Sequence, residues 1–268
     1  MIGCVVLGLL VLLSIAAPLV APHPQDDIDV LRRLLPPAWD GAGRPDYLLG
    51  TDQLGRDVLS RIIWGARVSI VVGISTAIVT GIIGVTVGLI AGYYAGVVDE
   101  ILMRLADVLL AFPFVLLAMV VIVVLGPSLP NLILVLSIFG WVGYARVVRA
   151  ATLVMKEREF VQAARTVGAT SRRIIWRHIL PNVFAPAIVI ATFVASSAII
   201  AEAALSFLGL GLPTAIPSWG AMLADGRDNL VAAPWLTWFP GLAIMITVLS
   251  LNLVGDWLRD YLDPRLRV

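Results

Sequence analysis

Residues 159–181 read Glu-Phe-Val-Gln-Ala-Ala-Arg-Thr-Val-Gly-Ala-Thr-Ser-Arg-Arg-Ile-Ile-Trp-Arg-His-Ile-Leu-Pro. In the first half, apolar residues recur at the i, i+3, i+4, i+7 spacing of one helix face, formed by Phe160, Ala163, Ala164 and Val167. Gly168 can adopt a positive φ and end this helix, and Ser171 can cap a second one. Pro181 suits the first turn of a further helix, where its missing amide costs nothing. The stretch therefore predicts a helix–turn–helix that leads into another helix.

The second helix of this pair has a basic outer side. Its predicted buried stripe is Ile174, Ile175, His178 and Ile179, and its outward set is Arg172, Arg173, Trp176 and Arg177. An isolated helix of about two turns is marginal in water, so the pair needs a surface to dock on. A groove on a soluble partner protein would provide one, and so would anionic lipid attracted by the arginines. Periodicity alone does not separate these alternatives.

Long apolar runs on both sides of this pair indicate a membrane protein. The chain has 268 residues, of which 60% are hydrophobic and 14% charged, whereas a soluble domain has about 25% charged residues. A hydrocarbon core of roughly 30 Å needs about 20 apolar residues per helix. Six runs come close to that length, at 2–21, 68–91, 105–125, 132–148, 185–204 and 238–258. We therefore expect an all-α polytopic membrane protein with about six transmembrane helices.

These runs divide the chain into four parts. They are a first span at 1–21, an external segment at 22–67 ending in a short amphipathic surface helix at 57–67, a five-helix transmembrane domain at 68–258 with a loop at 157–181, and a tail at 259–268. Ala-Ala-Pro at 16–18 could also mark a cleaved signal peptide, but no basic leader precedes it, and we favour an uncleaved span.

Pro113 predicts a kink in the third span. Trp219, Trp235 and Trp238 predict anchors at the membrane interface.

Basic residues set the orientation across the membrane. Between positions 146 and 177 the chain has eight arginines and lysines against two glutamates, and loops of this kind stay in the cytoplasm. The tail, with Arg259, Arg265 and Arg267, is expected on the same side. In the segment 23–67, six arginines are offset by seven aspartates, which allows this segment to be external. Both termini are thus predicted to be cytoplasmic.

The second span has small residues at intervals close to four, which keeps them near one helix face. The set is Gly73, Ala77, Gly81, Gly84, Gly88, Gly92 and Gly96. These residues predict close helix packing, either within the chain or against another subunit.

Ionisable residues inside a membrane are candidates for function. Arg104 and Asp107 lie one turn apart and can pair with each other. Glu202 follows a long apolar run with no basic residue nearby. Glu202 either bonds to a group on another helix, which we favour, or faces a translocation path, where it could attract an amino group or a cation.

The sequence excludes several kinds of chemistry in this chain. A phosphate-binding loop needs the pattern Gly-x-x-x-x-Gly-Lys, and the only lysine, Lys156, follows Met155. ATP hydrolysis therefore belongs to a partner if ATP is used. With two histidines and one cysteine, Cys4, the chain has neither a zinc-protease motif nor a thiolate metal cage. The net charge of +1 gives no reason to expect nucleic-acid binding.

The loop contains Gln-Ala-Ala-x-x-x-Gly at 162–168 and Ile-Leu-Pro at 179–181. This pattern resembles the cytoplasmic loop of binding-protein-dependent ABC importer permeases, which have Glu-Ala-Ala, three residues, Gly, nine residues and Ile-x-Leu-Pro. The chain departs from it at Gln162, which cannot form an ion pair, and at His178, where Ile is usual. Further stretches resemble the second permease subunit of the dipeptide, oligopeptide and nickel permeases, at 49–61, 65–69, 202–211 and 255–260.

The resemblance implies a type I importer fold in which a cytoplasmic coupling helix between the fourth and fifth spans docks on separate ATPase subunits. The implied docking residues are Phe160, Gln162, Ala163, Ala164, Arg165 and Gly168, flanked by Arg172 and Arg173. Implied partners are a homologous permease in a heterodimer, two cytoplasmic ATPases that bind the ATP and Mg, and an external substrate-binding protein, all at the prokaryotic inner membrane. The expected cargo is a short peptide, with nickel or another small solute as the alternative. A rival of another class is an ion-coupled secondary transporter or channel that uses Glu202 and Asp107.

Overall fold

The computed structural model describes residues 2–213 and 216–262. This part of the chain is helical, and its only β-pairing is a bridge between Thr51 and Asp57. The helices are α1 (Ile2–Ile15), α2 (Ala17–Val20), α3 (Val58–Tyr94), α4 (Gly96–Ala111), α5 (Phe114–Leu125), α6 (Leu129–Met155), α7 (Glu159–Thr166), α8 (Ser171–Ile174), α9 (Leu180–Phe207), α10 (Trp219–Gly226) and α11 (Trp235–Leu262). A π-helical turn, Ile175–Ile179, joins α8 to α9. In the predicted tail, Arg265 and Arg267 lie outside the described residues.

The number of candidate spans in the described residues is four or five, and the prediction of six is not reproduced. The four are Val58–Tyr94, Leu129–Met155, the continuous run Ser171–Phe207 and Trp235–Leu262. The fifth is the pair α4 and α5, which is bent by 85° at the break that contains Pro113. α1 has 14 residues, shorter than the roughly 20 that cross a bilayer core. Helical structure resumes in α2 only after an interruption at Ala16.

The second span begins earlier than the sequence indicated. A separate surface helix at 57–67 is absent, because α3 runs without interruption from Val58 to Tyr94. Asp57 caps it by accepting a hydrogen bond from the amide of Ser60 at 2.8 Å. No proline separates the polar first turns from the apolar part, and the glycine between them, Gly65, is tolerated inside a helix, so one helix includes both.

The small residues of α3 pack within the chain, which answers the question that the spacing left open. A Cβ added to Gly84 would lie 2.5 Å from the carbonyl oxygen of Trp141, and one added to Gly88 would lie 2.7 Å from that of Ala145. Gly92 approaches α6 as closely. The absence of side chains therefore brings the backbones of α3 and α6 together. Gly96 has open space around it and takes no part.

Ion pairs hold α4 against α6. Asp99 forms a bidentate pair with Arg149, and Asp107 pairs with Arg146 at 2.7 Å. Arg104 pairs instead with Glu100 at 3.0 Å. The prediction that Arg104 and Asp107 pair with each other was therefore wrong, because Asp107 pairs with α6 and Arg104 pairs with another acidic residue of α4.

Of the three tryptophans predicted as membrane anchors, two form hydrogen bonds inside the protein at the end that contains α10. Trp219 is 0% exposed, and its indole donates to the carbonyl of Ile62 at 3.0 Å. Trp235 donates to the carbonyl of Thr51 at 3.3 Å. Only Trp238, which is exposed, has the environment expected of an interfacial anchor. Trp219 is a core residue because α10 folds back onto α3.

Candidate functional site

The interspan loop, residues 157–181, packs one side of α7 onto the membrane helices. Val161 is 0% exposed and lies in one apolar cluster with Leu89 of α3 and Val148 of α6. Ile174 and Ile179 belong to the same cluster, as the sequence predicted for the second helix. The loop is thus fixed to the ends of three long helices, α3, α6 and α9.

Three of the four residues that the sequence predicted for the apolar face of α7 lie on its outer side. Phe160 is 46% exposed and Val167 is 84% exposed, and Ala163 is exposed as well. The buried contact comes from Val161 and partly buried Ala164. α7 therefore has apolar side chains on two sides, one covered by the chain itself and one that the described part of the chain leaves uncovered.

Gly168 ends α7 as predicted. Its φ is +83°, in the left-handed region that favours glycine, and its amide donates to the carbonyl of Arg165 at 2.9 Å. A Cβ at this position would meet nothing within 4 Å, so the backbone conformation alone calls for glycine. The predicted cap was one residue off, because Thr170 and not Ser171 accepts from the amide of Arg173, at 3.4 Å.

Two polar side chains fix the loop to its own chain. The amide of Gln162 donates to the carbonyl of Lys156 at 3.1 Å and to the carboxylate of Glu157 at 3.3 Å. A glutamate has no donor for this carbonyl, so glutamine gives a bond here that the usual family residue could not. The guanidinium of Arg165 lies 5.4 Å from the ring centre of Tyr93 at the end of α3, a cation–π distance. Arg172 and Arg173 are exposed at the outer surface.

Glu202 lies far from the loop, at the other end of α9. About 33 Å of helix separates Leu180 from Glu202 at 1.5 Å per residue. Its side chain is 0% exposed, and its Oε1 accepts hydrogen bonds from Ser206 at 2.9 Å and from Ser218 at 2.8 Å. Ser218 also caps α10 by accepting from the amide of Ala221. These contacts match the favoured alternative, in which Glu202 bonds to another element.

A buried ionic cluster, which sequence reasoning missed, lies at the same end of the molecule. Asp52 Oδ2 is 2.6 Å from both Arg56 Nε and Arg61 Nη1, and Asp225 Oδ2 is 3.4 Å from each guanidinium. Asp52, Arg56 and Arg61 are all less than a tenth exposed. The cluster ties the segment before α3 to α10. The available signal was the charge-rich stretch at 52–61, but its partner Asp225 is distant in sequence.

Within the described residues, no group of three or more His, Cys, Asp or Glu side chains is placed to hold a metal ion. The arrangement is that of a membrane bundle with an exposed helical loop at one end and a closed polar cluster at the other.

The fold belongs to a known class of membrane proteins. It matches a chain from structures of inward-facing conformations of the MetNI methionine ABC transporter, with a TM-score of 0.61 over 76% of this chain and 96% of that one. The identity is 17%, so this comparison shows the fold alone. The fold is that of a type I ABC importer permease, as the sequence predicted.

Sequence comparison gives the family. The family described as binding-protein-dependent transport system inner membrane component matches residues 84–268, and the N-terminal TM domain of oligopeptide transport permease C matches residues 1–37. The chain is 44% identical to the dipeptide transport system permease protein DppC of Haemophilus influenzae, over 100% of this chain and 90% of that protein. It is 40% identical to the oligopeptide transport system permease protein OppC of Bacillus subtilis, over 100% and 86%. The chain belongs to the family of binding-protein-dependent transport system inner membrane components and is a multi-pass permease subunit.

Proposed function

We propose that the chain forms half of the translocation pathway for short peptides in an ATP-driven importer. The observation that carries this proposal is the similarity over the whole chain to permease proteins named for dipeptides and oligopeptides. Nickel or another small solute is not favoured by any of these relatives. An ion-coupled transporter is not favoured either, because Asp107 pairs with Arg146, and Glu202 is buried with its Oε1 bonded to Ser206 and Ser218.

The outer side of the interspan loop is the proposed docking surface for cytoplasmic ATPase subunits, and α7 is the proposed coupling helix. Phe160 and Ala163 would enter a groove on the ATPase, next to the uncovered Val167. Arg165 would add an electrostatic contact beside them, with Arg172 and Arg173 at the flank of this surface. Gln162, Ala164 and Gly168 act differently in this proposal, because they hold α7 in position rather than reach outward.

The inner side of the loop is the proposed route by which force reaches the membrane. When ATP binding draws the two ATPases together, α7 moves with them. Val161 and Ile174 transmit the displacement to α6 and α9, against which they pack. Since Ser171–Phe207 is one continuous run, a push on the loop tilts the whole of α9. Such tilting would open the pathway alternately to the two sides.

The complete transporter would contain several other proteins. They are a homologous permease in a heterodimer, two ATPases that bind ATP and Mg, and an external substrate-binding protein. The chain itself would sit in the prokaryotic inner membrane with both termini in the cytoplasm, and it would bind no cofactor of its own.

A pair of glycine variants tests the docking proposal. Gly168 and Gly126 both have a φ of +83° and open space around a future Cβ, so Gly168→Val and Gly126→Val introduce similar backbone strain. Such strain costs of order 1–3 kcal/mol. We expect Gly168→Val to lose the ATPases on affinity purification, together with uptake of a labelled dipeptide in cells that express all components. Gly126→Val should retain both. Dipeptide uptake that continues in cells lacking the ATPases would refute the function itself.

A further inference from the structure

A large apolar groove opens on the membrane side of the molecule. It has a volume of about 960 Å³ and lies between α3 and α9, with Tyr144 of α6 at its back. The hydroxyl of Tyr144 is already used, because it donates to the carbonyl of Ala77 at 3.1 Å. Most of the wall is aliphatic or aromatic, with side chains such as Ile78, Ile82 and Phe184. Ile78, Ile82 and Phe184 are exposed, so none of the residues that the structure describes fills the groove.

The groove is long enough to hold a lipid chain. Its wall on α3 extends from Ile74 to beyond Ile90, which is about 24 Å at 1.5 Å per residue. One leaflet is about half of a roughly 30 Å hydrocarbon core. The groove therefore passes the full depth of the leaflet next to the interspan loop.

The mouth of the groove is basic. Arg172 and Trp176 line its end at the interspan loop, and both also line a second cavity of about 580 Å³ with Thr170 and Arg173. Among residues 2–213 and 216–262, no Asp or Glu lines either cavity. Two guanidinium groups and a hydroxyl are good donors for a phosphate, and Trp176 is 63% exposed at the position where indoles prefer the interface.

We propose that this groove binds an anionic phospholipid. The phosphate would lie against Thr170, Arg172 and Arg173, and an acyl chain would run between α3 and α9. A peptide is a poor occupant, because its backbone amides and carbonyls would find no partners along an aliphatic wall. A free phosphate could meet the arginines but would leave the groove unfilled. The bound lipid would connect the interspan loop, whose movement is part of our proposed function, with α9, the helix on which the loop acts.

The test counts lipids on the complete transporter. Permeases and ATPases are reconstituted together in vesicles of phosphatidylcholine with a minor fraction of phosphatidylglycerol, extracted, and examined by native mass spectrometry. Wild type should retain phosphatidylglycerol selectively. In the double variant Arg172→Gln, Arg173→Gln, retention should fall about tenfold, since it removes charge-assisted hydrogen bonds to the phosphate. Arg177→Gln is the matched control, because Arg177 is exposed but lines neither cavity. Inorganic phosphate in the buffer should not displace the lipid.

A second pair of variants tests the apolar part and keeps the lipid separate from ATPase docking. Ile82→Trp places bulk inside the groove, whereas Ile83→Trp places it on an exposed position of α3 outside it. We expect Ile82→Trp to lose the phosphatidylglycerol while the ATPases remain bound, and Ile83→Trp to retain both. Equal lipid counts in all four variants would overturn the proposal. So would an Ile82→Trp transporter that keeps its lipid but separates into single permeases, because the groove would then belong to the partner permease.

Discussion

Val161 in α7 and Val167, the residue that follows α7, lie in opposite environments. Val161 is buried against α3 and α6, whereas Val167 is 84% exposed. Because a carboxylate that loses its water is costly, Val161→Asp should lower the melting temperature of the purified subunit. Val167→Asp should change the free energy of unfolding by less than about 0.5 kcal/mol yet weaken co-purification of the ATPases. Thermal denaturation and affinity purification check the two effects, and the reverse pattern would contradict the assignment of the faces.

Glu202 offers a second test at the level of single side chains. Glu202→Gln keeps an acceptor for Ser206 and Ser218, whereas Glu202→Ala leaves both hydroxyls without it. An unsatisfied buried group costs about 1–3 kcal/mol. We expect the alanine variant to be destabilised by that order and the glutamine variant to melt and transport like wild type. If glutamine abolishes peptide uptake without lowering the melting temperature, Glu202 acts on the substrate instead.

Local rules predicted some of these residues and not others. The positive φ of Gly168 and the buried positions of Ile174 and Ile179 follow from helix period and glycine geometry, which depend on neighbours in sequence. The burial of Val161 depends on Leu89 and Val148, which belong to helices outside the loop. α7 is apolar on two sides, so its period could not tell the covered face from the open one.

At the scale of helices, the close approach of α3 and α6 predicts that a side chain added between them destabilises the protein. Gly88→Ala would place a Cβ 2.7 Å from the carbonyl oxygen of Ala145 and 2.8 Å from Val148. The helices must separate, at a cost of about 1–3 kcal/mol. The control is Gly143→Ala in α6, where nothing lies within 4 Å and alanine favours the helix by about 1 kcal/mol. Thermal melting should therefore move in opposite directions for the two variants. Equal melting temperatures would mean that α3 packs against another subunit.

The bend between α4 and α5 could be predicted from the sequence only in part. Pro113 predicted a kink, because it disrupts the helix before it. The size of the bend, 85°, also reflects what holds α4. Asp99 and Asp107 pair with arginines of α6 that are tens of residues away in sequence. A run of hydropathy cannot show such pairs, so the sequence predicted a kink at Pro113 but not the size of the bend.

The molecule has a buried ionic cluster at one end and the interspan loop at the other, and α3 connects the two ends. Its first turns adjoin the buried cluster of Asp52 and Arg61, and its last residues contact the interspan loop through Tyr93. The cluster is buried, so salt screens it little, and it fixes one end of α3 to α10. The other end contacts the loop that we propose to move. A helix held at one end and pushed at the other would tilt, which fits the motion that we propose for α9.

The length of α3 also predicts on which side each end lies. Its 37 residues extend about 55 Å, more than a roughly 30 Å core, so its two ends must lie on opposite sides of the membrane. In a Cys4→Ser background, Ala42→Cys should react with an impermeant maleimide in intact spheroplasts. Thr166→Cys, also exposed, should react only after permeabilisation if the arginine-rich loop faces the cytoplasm, as we propose. Cys4→Ser alone is the control and should remain unlabelled. Labelling of position 166 in intact cells would place the loop outside, where no cytoplasmic ATPase could reach α7.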